Sequence, residues 1–539
     1  MVSNTVMGPT AQIPRASSPP WRDRTTVSQE LGPDFAPAVR ELLGDVDALL
    51  DDARAALGPD ADAELGRLYA LLEVDWLDVQ GPRFREPLTL AVAGHTNAGK
   101  STLVNALVGA RIAPTAATEC TTVITRFRYG PDQPRLVPRT GNPQGLPLTD
   151  DLRLPDKLPV NPEDVAHLDV ALSFEPLRHL TVIDTPGLSG DEGLASLTED
   201  LLGLAGHDEQ SSLRLPGGAD VLLFLFGPTL RASERDALRR FRQSSRGCYR
   251  FPANAHGVLS RADQLLGEDG PWAAGQAIAA AHAAALKDYV AGVLPVMGKI
   301  AETTETGSFN ETVAGWLHTI AALSAEDRED ILSEPSDFAE SEVLTHSARH
   351  TLLDRLDLFG IKVLTRPENA AMPAASMHDT LQDLSGIAAL RARIKILFER
   401  PAAVHRTARV LAGVEKLLSR SKLPETKVEP LIDHIERIRL HDEMHTLAEL
   451  KALGDLYSGR CHLGEPAQQR ALALFERSEP AQRLGVNGSV GRGALADAAK
   501  AEAGLWRTYA GGAGSLLARQ VAETASLSAY LIAKTLETQ

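Results

Sequence analysis

The chain has 539 residues, 43% of them apolar and 5% aromatic, with 55 basic against 71 acidic side chains and a formal net charge of −16. That length suits roughly three or four domains. The acidity argues against non-specific nucleic-acid binding, which needs clustered cations, so no nucleic-acid partner is expected. Three scattered cysteines, Cys120, Cys248 and Cys461, exclude a disulfide framework or a zinc cluster.

No run approaches the roughly 18 consecutive apolar residues of a membrane span, and the N-terminus lacks a basic-then-apolar leader pattern. The expected location is cytoplasmic, with at most peripheral contact at the inner face of the cell membrane. Residues 1–32 are rich in Pro, Ser and Thr without apolar periodicity, which predicts a disordered tail. Val39, Leu42, Leu43, Val46, Leu49, Leu50 and Ala53 then recur at three and four, the spacing of an amphipathic helix. Leu65, Leu68, Tyr69 and Leu72 mark a second one. These helices, within 33–86, are expected to pack in a bundle with C-terminal helices.

From 87 to about 300, short apolar runs alternate with helical segments, which predicts an α/β fold with a mostly parallel sheet and helices on both faces. Strands are expected near 88–93, 121–129, 167–174, 179–184, 220–226, 255–260 and 292–297. The Pro- and Gly-rich stretch 130–165 reads as a surface loop. Helix dominates after Met297, and a helical insertion is expected at about 303–384. Ser385-Gly-Ile-Ala-Ala-Leu390 opens a helix that closes the α/β domain near 400. Residues 401–539, with the stripe Met444, Leu447, Leu450, Leu453 and Leu456, form the C-terminal part of the bundle.

The densest chemical signal is Gly94-His-Thr-Asn-Ala-Gly-Lys-Ser-Thr102, between a strand-like run (Pro87–Ala93) and a helix-like run (Thr102–Val108). Gly94 and Gly99 let the backbone curl so that amides from Asn97 through Thr102, Ala98 included, face phosphate oxygens. Lys100 supplies a point charge, and the Ser101 hydroxyl can hold Mg²⁺. A second element, Leu180-Thr-Val-Ile-Asp184-Thr-Pro-Gly187, delivers Asp184 towards the metal and the Gly187 amide towards the terminal phosphate. Loss of that phosphate would release the loop, an order–disorder switch.

The third element, Gly257-Val-Leu-Ser260-Arg261-Ala262-Asp263, follows a strand. The Asp263 carboxylate can accept both hydrogens of guanine's N1/N2 edge, Arg261 can stack on the purine, and Ser260 precedes them. Together these point to a GTPase that takes GTP to GDP with Mg²⁺. A switch threonine is expected in Pro114–Thr122 to hold Mg²⁺ and orient water. Thr121 is favoured, with Thr118 and Thr122 as rivals.

The phosphate loop, Asn105-Ala-Leu-Val-Gly, Cys120-Thr-Thr-Val-Ile-Thr-Arg-Phe-Arg-Tyr129, Asp-Thr-Pro-Gly, Ser-Arg-Ala-Asp and Leu358-Phe-Gly-Ile361 together resemble the bacterial dynamin-like GTPases. The resemblance is clear over the GTPase domain and only an outline over the helical remainder. It implies a GTPase head on a helical neck and trunk, head-to-head contact in a homodimer or a hetero-oligomer with another dynamin-like protein, and membrane remodelling. Members commonly carry Gln then Ser at the positions of Thr96 and Asn97, so these catalytic positions depart from the pattern. Two other readings stay open: an assembly GTPase acting on RNA or the ribosome, and a nucleotide-binding scaffold with little hydrolysis. Two basic stretches, Arg231–Arg250 and 391–422, are solvated helix faces or contact surfaces on this reading. For 391–422 the partner would be anionic lipid.

Overall fold

The computed structural model describes residues 37–72, 74–75, 83–84, 87–114, 122–131, 133–149, 153–187, 219–244, 251–265, 270–486 and 490–538. The expected tail 1–32 lies outside them. The first described elements are helices α1 (Pro37–Leu57) and α2 (Asp62–Ala70). In α1, Leu42, Leu43, Val46, Leu49, Leu50 and Ala53 are all buried, because three-and-four spacing lines them up on one face. A two-residue ribbon, β1 (Val74–Asp75) against β2 (Arg83–Phe84), follows.

Nine strands then form one sheet: β3 (Leu88–Gly94), β4 (Thr125–Tyr129), β5 (Arg135–Pro138), β6 (Gln144–Gly145), β7 (Val165–Leu172), β8 (Leu180–Asp184), β9 (Val221–Phe226), β10 (Ala255–Ser260) and β11 (Val293–Val296). Their order is β11-β10-β9-β3-β8-β4-β7-β5-β6. Strands β3, β8, β9, β10 and β11 run parallel. Strand β4 is antiparallel to β8 and parallel to β7, and β5 and β6 extend the sheet antiparallel. The stretch 130–165, expected as a loop, therefore contains two strands. Leu136 and Leu146 are buried and anchor it. Pro138 sits at the register shift against β7, where a residue without an N–H costs the ladder little.

Every residue of β3 is buried, as expected for a central strand covered on both faces. Helix α3 (Lys100–Val108) covers one face, with Leu103, Val104 and Leu107 on Leu88, Leu90, Val92, Leu223 and Leu225. Helices α4 (Ala232–Ser244) and α5 (Pro271–Ala285) cover the other, where Leu238, Phe241, Ala279 and Ala283 meet Ala91, Ala93, Leu222, Phe224 and Phe226. The alternate residues of each strand separate the two cores.

After β11 come α6 (Gly298–Glu305), α7 (Glu311–Ala321), α8 (Ala325–Ile331), α9 (Pro335–Glu340), α10 (His346–Leu364) and α11 (Ala374–Ser385). Their apolar residues, Ile300, Leu317, Leu352 and Leu381 among them, extend the second core. Helix α12 (Ile387–Ile394) crosses to the first core. Its entry turns on Gly386, where φ is +75° and a side chain would meet the Pro295 carbonyl at 2.6 Å.

A π-helical turn, Lys395–Glu399, leads into α13 (Ala402–Arg420), followed by α14 (Glu425–Arg439), α15 (Thr446–Tyr457), α16 (Glu465–Glu476), α17 (Pro480–Arg483), α18 (Arg492–Gly512) and α19 (Leu516–Thr538). Helices α1, α2, α13 and α14 share a third core. Gly413 lets α2 approach α13, since a side chain there would meet Leu68 at 2.7 Å. The α18–α19 hairpin closes over Trp506, which is fully buried and donates to Glu502 at 2.8 Å. Trp506→Ala should cost about 3–5 kcal/mol of stability, measured by denaturant unfolding. A cost below about 1 kcal/mol would mean that the hairpin is not a cemented unit.

Part of the basic stretch 391–422 turns inward: Arg391, Arg393, Arg406 and Arg409 are buried or half-buried. Arg391 donates to the Ala106 carbonyl and to Glu305, each at 2.7 Å. Arg393 stacks on Tyr457 at 3.1 Å. Arg400 bonds the Glu476 carbonyl, Arg406 the Leu71 carbonyl, and Arg409 pairs with Asp220. These contacts tie the helical region to the sheet and to the N-terminal helices, while Lys395, Arg400, Lys416, Arg420 and Lys422 are exposed. In the other basic stretch, Arg235 and Arg239 on α4 are exposed. Arg246 and Arg250 lie outside the described residues.

Asp220 precedes β9 and accepts the amide of Thr89 at the start of β3. Ala291, which precedes β11, faces Gly454 of α15. The C-terminal helices thus attach at the amino ends of the parallel strands, which leaves the carboxyl ends for a ligand site.

Candidate nucleotide site

Strand β3 ends in Gly94, whose φ of +154° and proximity to Leu225 (2.8 Å from a side chain placed there) suit only glycine. The chain then turns through Asn97, at φ +60°, and Gly99, at φ +86°, into the first turn of α3. Left-handed residues followed by a helix N-terminus aim successive amides at one point, the geometry of an anion cradle. Lys100 is buried beneath the loop and donates to the His95 carbonyl at 3.2 Å. Burial holds its ammonium below the usual lysine range, and Asp184 opposes that shift.

Parallel pairing of β3 with β8 brings Asp184 beside α3. The Ser101 hydroxyl donates to Asp184 Oδ2 at 2.7 Å. Burial pushes the Asp184 carboxyl up to about 6, against the pull of Ser101 and Lys100. Its Oδ1 is buried without a hydrogen-bond partner, a group that a bound cation would satisfy. A hydroxyl and a carboxylate oxygen are hard donors that suit Mg²⁺. Thr185 fixes the next turn by bonding the Val92 carbonyl at 2.9 Å. Gly187 then lies against the phosphate loop: a side chain there would meet Thr96 Oγ1 at 2.5 Å and the Thr96 amide nitrogen at 2.9 Å.

On the other side, β10 ends in Ser260, whose hydroxyl bonds the Phe226 carbonyl at 3.1 Å. Arg261 takes a left-handed φ of +56° and donates to the Asn97 carbonyl, tying this turn to the phosphate loop. Burial raises the Asp263 carboxyl, Asp357 adds to that rise, and Lys299 and Arg261 oppose it.

A cleft of about 410 Å³ opens between these segments, lined by Asn97, Ala98, Gly99 and Thr102 on one side and Ser260, Arg261 and Asp263 on the other. The structure thus brings three separated motifs close together, with Lys100 and the Ser101–Asp184 pair next to the Asn97–Gly99 side of the cleft. Thr121 and Thr118 lie outside the described residues, and Thr122 is described at the foot of β4.

Sequence reasoning missed a further wall of the cleft, formed by Gly298, Lys299, Glu302, Arg111 and Asp354. The available signal was position, because Gly298 and Lys299 follow the last parallel strand. Asn105 braces this wall: its amide donates to Glu302 at 2.7 Å and to the Ala113 carbonyl, and its oxygen accepts from the Ile112 and Ala113 amides. Arg111 pairs with Glu302 at 3.1 Å and Asp354 at 3.0 Å. Among the described residues there is no group of three or more His, Cys, Asp and Glu that could hold a metal.

Residues 90–202 match the dynamin family. The chain is 30% identical over 462 residues to the isoniazid-induced protein IniC of Mycobacterium tuberculosis, strains CDC 1551 and H37Rv, which covers 80% of this chain and 87% of that protein. It is also 31% identical over 103 residues to an uncharacterised protein of Caldicellulosiruptor, covering 18% of this chain and 26% of that one. Two solved chains of an oligomerised bacterial dynamin pair, described as sensing and tethering membranes, cover 93% and 94% of this chain and 75% and 91% of their own lengths. They do so at 12% and 11% identity, with TM-scores of 0.28 and 0.32. Scores that low say nothing about function.

Proposed function

This chain belongs to the dynamin family of GTPases, and on that premise we propose that it binds GTP in the cleft and hydrolyses it to GDP and phosphate. The observation that supports this reading most is the convergence of the Asn97–Thr102 turn, the Ser260–Asp263 turn and the Ser101–Asp184 pair around one cleft. Asp263 would accept from the N1 and N2 hydrogens of guanine, and adenine would leave that half-buried carboxylate unpaired. Backbone amides of residues 97–102 and the Lys100 ammonium would hold the phosphate chain. Ser101 and Asp184 would hold Mg²⁺, which spreads the charge of the phosphates.

Gly187 contacts Thr96 in the structure, so a terminal phosphate arriving beside Thr96 would meet the Gly187 amide and reset the turn. Thr96 and Asn97 can hydrogen-bond an attacking water, and Thr121 is the residue proposed to orient it. In this reading the slow step is completed by a group from a second head, in a homodimer or in a hetero-oligomer with another dynamin-like protein. Turnover per molecule should then rise with protein concentration as association proceeds. A flat rate across the monomer-to-oligomer transition would remove the association step.

The helical region attaches at the amino ends of the parallel strands, opposite the cleft, and it would carry the switch outward through contacts such as Arg409–Asp220. The proposed destination is the inner face of the cell membrane, reached peripherally or through a membrane-binding partner. Among the described residues no helix is long and apolar enough to cross a membrane. A second reading, a nucleotide-dependent scaffold with little hydrolysis, is favoured by Thr96 and Asn97 at the catalytic positions. Single-turnover hydrolysis with and without liposomes separates the two.

A further inference from the structure

Three non-glycine residues among those described have a left-handed φ: Asn97, Arg261 and Asp357. Asn97 and Arg261 line the cleft as parts of recognised motifs. Asp357 belongs to neither motif, and unlike Arg261 (ψ 39°) it lies outside the left-handed helical region. It interrupts α10 at φ 54° and ψ 175°, a region that glycine occupies freely and other residues rarely. Such strain costs on the order of 1–3 kcal/mol and persists where its surroundings hold it in place.

The surroundings are the two loops that build the base end of the cleft. Asp357 Oδ2 accepts from Lys299 Nζ at 3.3 Å and from Gln264 Nε2 at 3.4 Å. Lys299 follows β11, and Gln264 is the neighbour of Asp263. Both line the cleft. Asp357 Oδ1 accepts the Leu358 amide at 2.8 Å, which fixes the carboxylate's direction. The flanking backbone supports the same wall, since Lys299 also bonds the Leu353 carbonyl and Thr303 the Arg355 carbonyl at 2.6 Å. Immediately after the kink, Gly360 packs against Ile300 of α6, where a side chain would have Ile300 Cδ1 at 3.5 Å. The Leu358-Phe-Gly-Ile361 segment thus follows the kink directly, bonds this carboxylate through the Leu358 amide and packs on α6.

We propose that Asp357, held in a strained kink of a helix far along the chain, is a positioning residue for nucleotide-base recognition that clamps the Asp263–Gln264 turn to Lys299. The inference rests on the guanine reading of the cleft and deepens it. The clamp acts on the base end only, because neither Lys299 nor Gln264 belongs to the phosphate loop.

Asp357→Gly separates this role from a structural one, because glycine removes the carboxylate and relieves the backbone strain together. Binding of GDP and of inorganic tripolyphosphate is measured by calorimetry on the full chain, with thermal unfolding alongside. The expected result is GDP affinity down by about tenfold, the scale of a lost charge-assisted hydrogen bond, with tripolyphosphate binding unchanged and the melting midpoint equal or higher. Asp357→Asn keeps an acceptor for Gln264 but loses the ion pair, and should fall between. Unchanged GDP affinity, or equal losses for both ligands with a lower midpoint, would overturn the proposal. Wild-type chain that binds tripolyphosphate but not GDP would overturn the guanine reading itself and this inference with it.

Discussion

Lys100→Ala is expected to lower GTP affinity by about a hundredfold or more, roughly 2.7 kcal/mol or above, while leaving the chain at least as stable as before. The Lys100 ammonium is buried and, among the hydrogen bonds described, makes one to the His95 carbonyl. Burial already disfavours its charge. An ion held with so little compensation is costly to fold and valuable to a polyanion, because both effects come from the same loss of water. Alanine removes both. Calorimetry with GTP and thermal unfolding of the same preparations check the pair of outcomes. Unchanged affinity would contradict the phosphate-loop assignment, and a large drop in melting midpoint would mean that Lys100 serves the fold instead.

Asp263→Asn should weaken GTP binding by about a hundredfold and shift preference to the xanthine nucleotide. A carboxylate offers two acceptors to the N1 and N2 hydrogens of guanine. An amide offers one acceptor and one donor, which suits N1–H beside a 2-oxo group. Mismatched polar groups in a dry pocket account for a discrimination of this size. Asp263 is half-buried and lines the cleft beside Arg261 and Lys299. Competition between GTP and XTP is the measurement. A variant still selective for guanine would transfer the reading of the base to another residue, with Lys299 and its clamp Asp357 as the first candidates.

The two predictions differ in how early they could be made. Gly94–Thr102 is a contiguous strand-turn-helix, and its chemistry uses backbone amides whose direction follows from glycine placement, so nine consecutive letters carry it. The positions of Asp184 and Asp263 were also legible, because one ends and the other closely follows an apolar run that reads as a buried parallel strand, and such strands present their carboxyl ends together. The resemblance to dynamin-like GTPases rested on the same segments. The mostly parallel sheet with helices on both faces was equally plain from alternation of short apolar runs and helices.

The stretch 130–165 shows where local reading failed. Its prolines and glycines point to loop, yet Leu136 and Leu146 are buried and two short strands join the sheet edge. An edge strand tolerates Pro at a bulge, so composition misleads there. The arginines of 391–422 failed in another way. A count of cations reports charge but not direction, and the partners Glu305, Tyr457, Leu71 and Asp220 come from distant segments.

By itself, then, the order of residues determined the strand-and-helix alternation, the glycine-shaped turn after β3 and the acidic groups at or just after the ends of strands β8 and β10. Each depends on interactions within a few neighbours. Tertiary structure alone decided that Lys299 and Asp354 wall the cleft, that Asp357 occupies a strained kink beside it, and that Arg391, Arg406 and Arg409 of the basic stretch turn inward to distant partners. Those facts join groups far apart along the chain, and no periodicity or spacing encodes which distant surfaces will meet once the cores have packed.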